Sequence, residues 1–291
     1  MKRVLLLQIC VLTVFLPAGL RAHFEEASLG TRAVAMGGMF VPVGDDPSTL
    51  FSNVAGFVTI EPPTLYGEFA ESPHPRYGEE SRVVALYPLP WFTAGVGWYR
   101  RGIEEGGSED LLIAGIAATL ITNSQGSFIS LGASAKLGRI SYESTCDCPG
   151  SGTSETEPAI DLGVMFRPLP VVSIAYAIST VKEAEFGPPE EVERWERAQR
   201  WGIAYFWEER VTLGYEQERS GSRTMHHYGF SVRTSTPLEL LAGFSEEKVY
   251  GGVRWVGERV RVAASFGPDG DDSIYGSASV ELPLGFITGG E

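Results

Sequence analysis

Residues 127–138 read Ser-Phe-Ile-Ser-Leu-Gly-Ala-Ser-Ala-Lys-Leu-Gly. From position 129 onward, apolar residues alternate with small or polar ones. One face carries Ile129, Leu131, Ala133, Ala135 and Leu137, and the other carries Ser130, Gly132, Ser134 and Lys136. Successive side chains of a β-strand point to opposite faces, so this period of two predicts a strand with one apolar and one polar face.

The same alternation recurs along the chain, for example over residues 158–167, 223–234 and 274–282. Many of these segments have about the 9–11 residues with which a tilted strand crosses a bilayer. We predict about fourteen strands, over residues 64–70, 81–88, 91–99, 110–120, 127–140, 158–167, 171–180, 198–208, 210–217, 223–233, 238–244, 249–256, 259–266 and 273–284.

The connections between the predicted strands alternate in length. Those at 71–80, 100–109, 141–157 and 181–198 are long, whereas those between them are tight. Long outside loops and short periplasmic turns are typical of outer-membrane barrels. The sequence therefore predicts an all-β fold, a transmembrane antiparallel β-barrel with an N-terminal plug segment.

A soluble β-sandwich is the alternative, because its strands also alternate. Its polar faces would be wet, whereas here the polar faces are rich in glycine, serine and alanine. Tryptophan and tyrosine also cluster near strand ends, as in the aromatic girdles of membrane barrels. The residues that fit such girdles are Trp91, Trp98, Tyr99, Trp201, Trp207 and Trp255.

The N-terminus has the layout of a secretory signal peptide. A basic start, Met1-Lys2-Arg3, precedes an apolar run to Leu16, and Ala22 offers a cleavage position. A membrane anchor is the alternative, although the run is short for one. We predict a signal peptide at 1–22, a plug or hatch segment at 23–62 and a barrel at 63–291, in the outer membrane after export.

The formal net charge of −14 argues against a nucleic-acid partner. Over 71–80, 100–109, 141–157, 181–196, 218–222, 245–248 and 267–272, the sequence contains 22 acidic and seven basic residues. These acids are either simply hydrated or bind divalent cations that bridge to lipopolysaccharide or a partner. Candidate cation ligands are the pair Glu190-Glu191 and the turn with Asp269, Asp271 and Asp272. Outer-membrane lipid and lipopolysaccharide are the expected surroundings.

A motif precedes the first predicted strand, within residues 28–57. It joins a glycine pair, a short apolar run, an Asp-Asp-Pro-Ser turn and an Asn-containing stop; Asp46 could cap a short helix with Pro47 at its first position. Before a barrel, such a segment predicts a plug, with an ordinary ordered arm as the alternative. The motif residues are Gly30, Arg32, Met36, Gly37, Gly38, Asp45, Asp46 and Asn53.

This stretch resembles the N-terminal signature of the PorV/PorQ family, within the FadL-like outer-membrane superfamily. The matching parts are Leu29-Gly30, Arg32-Ala33, Met36-Gly37-Gly38, Phe40-Val41, Asp45-Asp46-Pro47-Ser48, Asn53 and Ala55-Gly56; Val54 stands where the family usually has proline. The resemblance implies an accessory barrel for protein secretion or surface attachment, with secretion-machinery or secreted proteins as partners. The alternative that it implies is a FadL-type passive channel for hydrophobic small molecules.

Charged residues on the polar strand faces are candidates for lining the lumen. They are Glu68, Lys136, Asp161, Arg167, Glu216, Arg233, Arg254, Arg261 and Glu281. One interpretation is a mutually paired lattice that fills the interior, and the other is a basic lining for a polar or anionic permeant. An open lumen would distinguish the second from the first.

Cysteine and histidine patterns point away from catalysis. Cys146 and Cys148 lie in a Gly/Ser-rich loop and could form a strained disulfide; an incomplete metal site is the alternative. His226 and His227 point to opposite faces of one predicted strand, so they cannot chelate together. No serine-hydrolase, zinc or phosphate-loop motif occurs, and we predict neither an enzyme nor a cofactor.

Overall fold

The computed structural model describes residues 29–71, 77–103, 107–142, 154–181, 184–186, 193–208, 210–246, 248–269 and 273–285. The predicted signal peptide, the Cys146/Cys148 pair, Glu190, Glu191, Asp271 and Asp272 lie outside these residues. For Asp269, only the backbone position is described.

Within the described residues, fourteen antiparallel strands form a closed barrel, which confirms the predicted fold class. Each strand pairs with its neighbours in the barrel, and the first closes on the last, with Thr64 opposite Pro283. The barrel strands are β1 (Thr64–Glu71), β2 (Tyr77–Pro88), β3 (Thr93–Ile103), β4 (Gly107–Thr122), β5 (Phe128–Tyr142), β6 (Ser154–Leu169), β7 (Val172–Ser179), β10 (Ala198–Trp207), β11 (Val211–Ser220), β12 (Arg223–Arg233), β13 (Leu238–Ser245), β14 (Lys248–Val256), β15 (Arg261–Asp269) and β16 (Ser273–Pro283).

The barrel has a turn side and a loop side. Thr64 and Pro283 lie on the turn side, where β2 and β3 are joined by a tight turn. The two longest connections, between β5 and β6 and between β7 and β10, lie on the loop side. The predicted long connection at 100–109 is corrected, because β3 continues to Ile103 and β4 begins at Gly107. The connection between β7 and β10 contains a two-stranded hairpin, β8 (Ala184–Phe186) and β9 (Glu193–Trp195), where we predicted only a loop. Three-residue strands are too short for alternation to be visible in the sequence.

Several strands extend beyond their predicted ends into the loop side. β2 begins at Tyr77 rather than at residue 81, and β6 begins at Ser154 rather than at residue 158. The added residues include Glu79 and Glu80 in β2 and Glu155 and Glu157 in β6. The alternation does not extend into these stretches, because polar or charged residues there occupy both faces.

The two faces of the barrel wall differ in burial. Large apolar residues such as Leu112, Leu131 and Ile160 are exposed outward, while the alternate positions are buried inward. Trp91, Trp98, Trp201, Trp207 and Trp255 are exposed, as the girdle prediction expects. For Tyr99 the girdle prediction is wrong. Tyr99 is fully buried, because it follows the outward Trp98 and therefore faces inward.

Residues 29–60, which we call the inner segment, pack against the inward faces of the strands. The segment contains one short α-helix, α1 (Thr31–Ala35), and two 3-10 helices, Pro47–Phe51 and Val54–Thr59. α1 contacts β13, β14, β15 and β16, and the second 3-10 helix contacts β3, β4, β5 and β6 on the other side of the barrel. Among the described helices, none combines the length and apolarity needed to cross a membrane.

Candidate functional site: the barrel interior

Glycines on the inward face of the wall make room for the inner segment. A Cβ added to Gly97 would lie 2.7 Å from Leu50, and one added to Gly229 would lie 2.5 Å from Met39. We call this set the glycine belt: Gly95, Gly97, Gly115, Gly132, Gly163, Gly202, Gly214, Gly229, Gly243 and Gly252. Several members are direct cross-strand partners, such as Gly132 with Gly163 and Gly229 with Gly243. The inner segment therefore lies directly on wall backbone, as close as glycine permits.

Two wall side chains hold the backbone of the glycine pair and of the apolar run that follows it. The carboxylate of Glu216 accepts hydrogen bonds from the backbone N–H groups of Phe40 and Val41, each 2.8 Å long. The His227 ring nitrogen Nδ1 lies 2.8 Å from the Gly37 carbonyl oxygen. Because that oxygen can only accept, Nδ1 is the donor. Gly37 and Gly38 have φ of 67° and 90°, a conformation that favours glycine.

Arg32 joins the inner segment to the wall through buried charges. Its guanidinium forms ion pairs with Asp45 and, at 3.0 Å, with Glu239 of β13. Burial lowers the pKa of the Arg32 guanidinium, and the nearby Glu239 carboxylate opposes this effect. The network continues on the wall, where Arg254 pairs with Glu239 at 3.5 Å and with Glu281 at 2.8 Å. Arg261 pairs with Glu281 as well.

The remaining motif residues shape the inner segment itself. Asp46 accepts a hydrogen bond from the Ser48 N–H at 2.9 Å and caps the first 3-10 helix with Pro47 at its first position, which confirms the predicted cap. Asn53 caps the second 3-10 helix, and its Nδ2 donates to the Val41 carbonyl at 3.1 Å. Val54 therefore occupies the first helical position, where proline is also favoured. Gly30 is the N-cap of α1 and contacts Ser48.

Most of the predicted lumen residues lie on the buried inward face and are paired. Glu68 pairs with Arg82 and accepts from the Thr31 N–H at 3.0 Å, and Lys136 pairs with Asp161 at 2.8 Å. Arg233 is the exception, since its side chain is exposed at the turn side. Arg167 is half-buried there, with its guanidinium 5.2 and 4.8 Å from the ring centres of Phe128 and Phe206.

Sequence reasoning missed part of this ionic lattice. Arg82 pairs with Glu80 at 3.1 Å, Arg101 with Glu109 at 2.8 Å, and Arg200 with Glu218 at 2.8 Å. Glu80, Glu109 and Glu218 belong to the predicted acidic loops, but all three are buried inside. The sequence signal for the inward position of Arg82 was its spacing: it lies two and four residues before Val84 and Leu86, which face inward on the same strand. It was obscured because polar and apolar residues mix on that face.

An apolar column accompanies the charges on one side of the interior. One contiguous cluster reaches from Leu86 and Ile60 at the turn side to Ile140 at the loop side. We use the name apolar column for this cluster: Leu50, Phe51, Val54, Phe57, Ile60, Tyr66, Val84, Leu86, Tyr99, Leu111, Ile113, Ala117, Ile140, Ala159, Phe186 and Trp195. It runs the height of the barrel and combines wall residues with the inner segment and the loop-side hairpin.

The hairpin β8–β9 contributes the loop-side end of the apolar column. Phe186 and Trp195 are both buried, with ring centres 6.2 Å apart. The Lys136 ammonium lies 5.0 Å from the centre of the Trp195 ring, in a cation–π arrangement. These contacts bring part of the connection between β7 and β10 into the barrel mouth.

The other sequence candidates are separated or lie outside the described residues. His226 faces outward, with Nδ1 2.8 Å from the Tyr215 hydroxyl, while His227 faces inward, so the two histidines do not meet. In the described part of the chain, no group of three or more His, Cys, Asp or Glu residues is arranged to hold a metal ion. The cysteine pair and the acidic cation candidates remain predictions.

Comparisons with known proteins show the fold. No family model matches the chain, and no curated protein matches it. Among solved structures, the Ralstonia pickettii toluene transporter TbuX aligns with a TM-score of 0.63 at 10% identity, covering 89% of this chain and 99% of that one. The Pseudomonas putida toluene transporter TodX aligns with a TM-score of 0.58 at 13% identity, covering 87% and 96%. A Pseudomonas aeruginosa FadL homologue gives 0.56 at 10% identity, covering 88% and 98%.

The chain therefore has the fold of FadL-like outer-membrane barrels. Two of these three structures are named as toluene transporters and the third as a FadL homologue, and the similarity at 10–13% identity concerns architecture. The finer resemblance to the PorV/PorQ type rests on the N-terminal motif alone.

Proposed function

We propose that the protein is a passive outer-membrane channel for small apolar molecules. The observation that carries this proposal is the apolar column, which runs from the loop-side hairpin to the turn-side residues Leu86 and Ile60. An apolar molecule that moves along this column contacts apolar side chains. It therefore does not displace the water or partners of charged groups, which would cost free energy. The fold shared with two toluene transporters supports the same substrate class.

The charged half of the interior is compatible with this function because its charges are paired. In ion pairs such as Arg101–Glu109 and Lys136–Asp161, each charge has its partner beside the column. The inner segment and the hairpin contribute Phe57 and Trp195 to the same column, so passage requires these two elements to shift. We therefore assign the inner segment the role of a plug and the hairpin that of a loop-side cover.

Uptake measurements test the channel. Cells that lack other channels for hydrophobic compounds should accumulate radiolabelled toluene several-fold faster when they express the protein, while a polar solute of similar size, such as glycerol, should show no gain. Leu111→Gln places an amide in the apolar column and should reduce toluene uptake several-fold. Leu241→Gln is the matched control, because Leu241 is a buried inward leucine outside the column.

A folded, outer-membrane protein that gives no toluene uptake would contradict the channel. The second candidate is then an accessory barrel for secretion, which the filled interior favours. In the part of the chain that the structure describes, the packed charges and the inner segment fill the interior and give such a barrel a rigid body. This candidate predicts that a secreted or secretion-machinery protein co-purifies with the chain and that Leu111→Gln leaves that association intact.

A further inference from the structure

The outward faces of β2 to β6 change from apolar to polar between one outward-facing row of residues and the next, two residues further along each strand. One row across these strands is Val83, Trp98, Leu112, Leu137 and Pro158, which are direct cross-strand partners. The next row toward the loop side is Ser81, Arg100, Asp110, Arg139 and Thr156. In a membrane barrel, such a change marks the boundary between hydrocarbon and head groups.

Arg100 and Arg139 flank Asp110 in this polar row. Neighbouring strands lie about 4.8 Å apart, so the Cα atoms of the two arginines are about 10 Å apart on the same face. The Asp110 carboxylate accepts hydrogen bonds from Trp98 Nε1 at 3.3 Å and from Ser108 Oγ at 3.2 Å. Both arginine side chains are exposed, and among the described residues neither has an ion-pair or hydrogen-bond partner.

The space toward the loop side of the two arginines is bordered by small residues. The next register positions are Gly102, Ser108 and Ser141, of which the two serines hydrogen-bond each other at 3.1 Å. At these three positions, therefore, no large side chain lies beside the two arginines. The row carries a net positive charge in a part of the molecule whose sequence is otherwise acidic.

We propose that Arg100 and Arg139 bind the phosphate of a phosphorylated outer-leaflet glycolipid. Guanidinium groups match phosphate oxygens with two parallel hydrogen bonds, and two arginines about 10 Å apart can approach one phosphate from both sides. The apolar row with Trp98 and Leu112 lies where the acyl chains of the same lipid would pack. The site rests on the proposed outer-membrane location and does not depend on channel activity.

Lipid binding to the detergent-solubilised protein tests the site. Native mass spectrometry with bis-phosphorylated lipid A should show binding at least tenfold tighter than with dephosphorylated lipid A. The double variant Arg100→Gln/Arg139→Gln should lose at least tenfold in affinity, and Arg100→Lys/Arg139→Lys should retain part of it. Arg219→Gln is the matched control: Arg219 is also outward and exposed, but its cross-strand partners are Gln199 and Thr224.

The control should change the affinity less than twofold. Equal binding by the double variant and the wild type would overturn the proposal, as would equal binding of phosphatidylglycerol and lipid A, which would indicate a general phospholipid surface. Toluene uptake measured in parallel separates the two proposals, because the double variant should transport normally. Recovery of the protein outside the outer membrane would overturn the lipid site whatever the uptake result.

Discussion

Gly243 shows how much the interior depends on single atoms. An added Cβ there would collide with the backbone of Met36 and Gly37. The colliding atoms belong to the main chain, and strand β13 is fixed by its hydrogen bonds to β12 and β14. Neither the inner segment nor β13 can therefore shift without a cost in free energy. The same reasoning applies to other members of the glycine belt that face inner-segment backbone, such as Gly132.

We therefore predict that Gly243→Ala destabilises the docking of the inner segment by about 1–3 kcal/mol. Protease cleavage within residues 29–60 of the folded barrel measures this change. Gly67→Ala is the control, because Gly67 also lies in a barrel strand but its added Cβ would meet nothing within 4 Å. Equal protease resistance of the two variants would contradict the close approach at Gly243.

Arg32 supports a second prediction at the same scale. Arg32→Met removes the 3.0 Å ion pair with the buried Glu239 carboxylate, which then keeps its hydrogen bond with Ser231 and its 3.5 Å contact with Arg254; breaking a buried pair costs about 3–5 kcal/mol. Arg223→Met removes an exposed pair with Glu246 and should cost about 1 kcal/mol or less. Chemical denaturation and protease sensitivity should both rank the two variants in this order. A larger effect of Arg223→Met would show that the Arg32 pair does not hold the inner segment.

At the scale of elements, alternation in the sequence located every barrel strand but neither hairpin strand. Alternation is visible where one face is uniformly apolar, as over residues 129–137 of β5. Alternation is hidden where side chains of mixed polarity share a face. This occurs on the inward face, because the interior holds both ion pairs and the apolar column. For the same reason the sequence placed Glu109 and Glu218 outside, although both strands carry them inward. The motif pointed to an ordered N-terminal segment, but no pattern could reveal its partners Glu216 and His227.

A disulfide between the inner segment and the wall should stop transport. A Cβ added to Gly252 would lie 2.7 Å from the Ala35 Cβ, so about 1 Å of relaxation brings Ala35→Cys/Gly252→Cys into the range of a disulfide. In a Cys146→Ser/Cys148→Ser background, the oxidised protein should take up toluene at least tenfold more slowly, and dithiothreitol should restore uptake. Unchanged uptake with a complete crosslink would mean that α1 stays in place during passage.

The hairpin supports a separate prediction. Trp195→Ala removes the ring that packs with Phe186 and lies over Lys136, so the hairpin should leave the barrel mouth more readily. Trypsin should then cleave after Arg194 several-fold faster than in the wild type. Trp91→Ala is the control, since Trp91 is 85% exposed on the turn side. Equal cleavage rates in both variants would show that Trp195 does not anchor the hairpin.

At the scale of the whole molecule, the exposed apolar wall and the closed strand order determine where the protein can reside. Outward residues such as Leu120, Val249 and Ile274 are more than half exposed, which a soluble monomer rarely tolerates over so wide a surface. The charged groups of the interior are shielded from lipid by the same wall. An all-β chain with apolar residues outside and ion pairs inside fits a bilayer.

We accordingly predict that the protein fractionates with outer membranes. Its unheated form should migrate differently from the boiled form on a denaturing gel, because a closed barrel resists detergent until its strand hydrogen bonds are broken by heat. Membrane extraction and gel mobility are the two measurements. A soluble periplasmic monomer without heat-dependent mobility would contradict a membrane-spanning barrel.

The glycine belt also bears on how the protein would discriminate by size. With the inner segment displaced, much of the lumen wall at that level would be main chain, because the ten belt positions carry no side chains and only some of their cross-strand partners, such as Glu216 and Leu241, carry large ones. The conduit would then be wide at the belt. The narrowest level would lie nearer the loop side, where Arg82, Arg101 and Glu109 extend inward. Molecular sieving would accordingly depend on that charged constriction. Truncating Arg101 or Glu109 would relax the size limit, whereas truncating Arg82 would also remove the ion-pair partner of Glu68, which holds the Thr31 N–H of the inner segment.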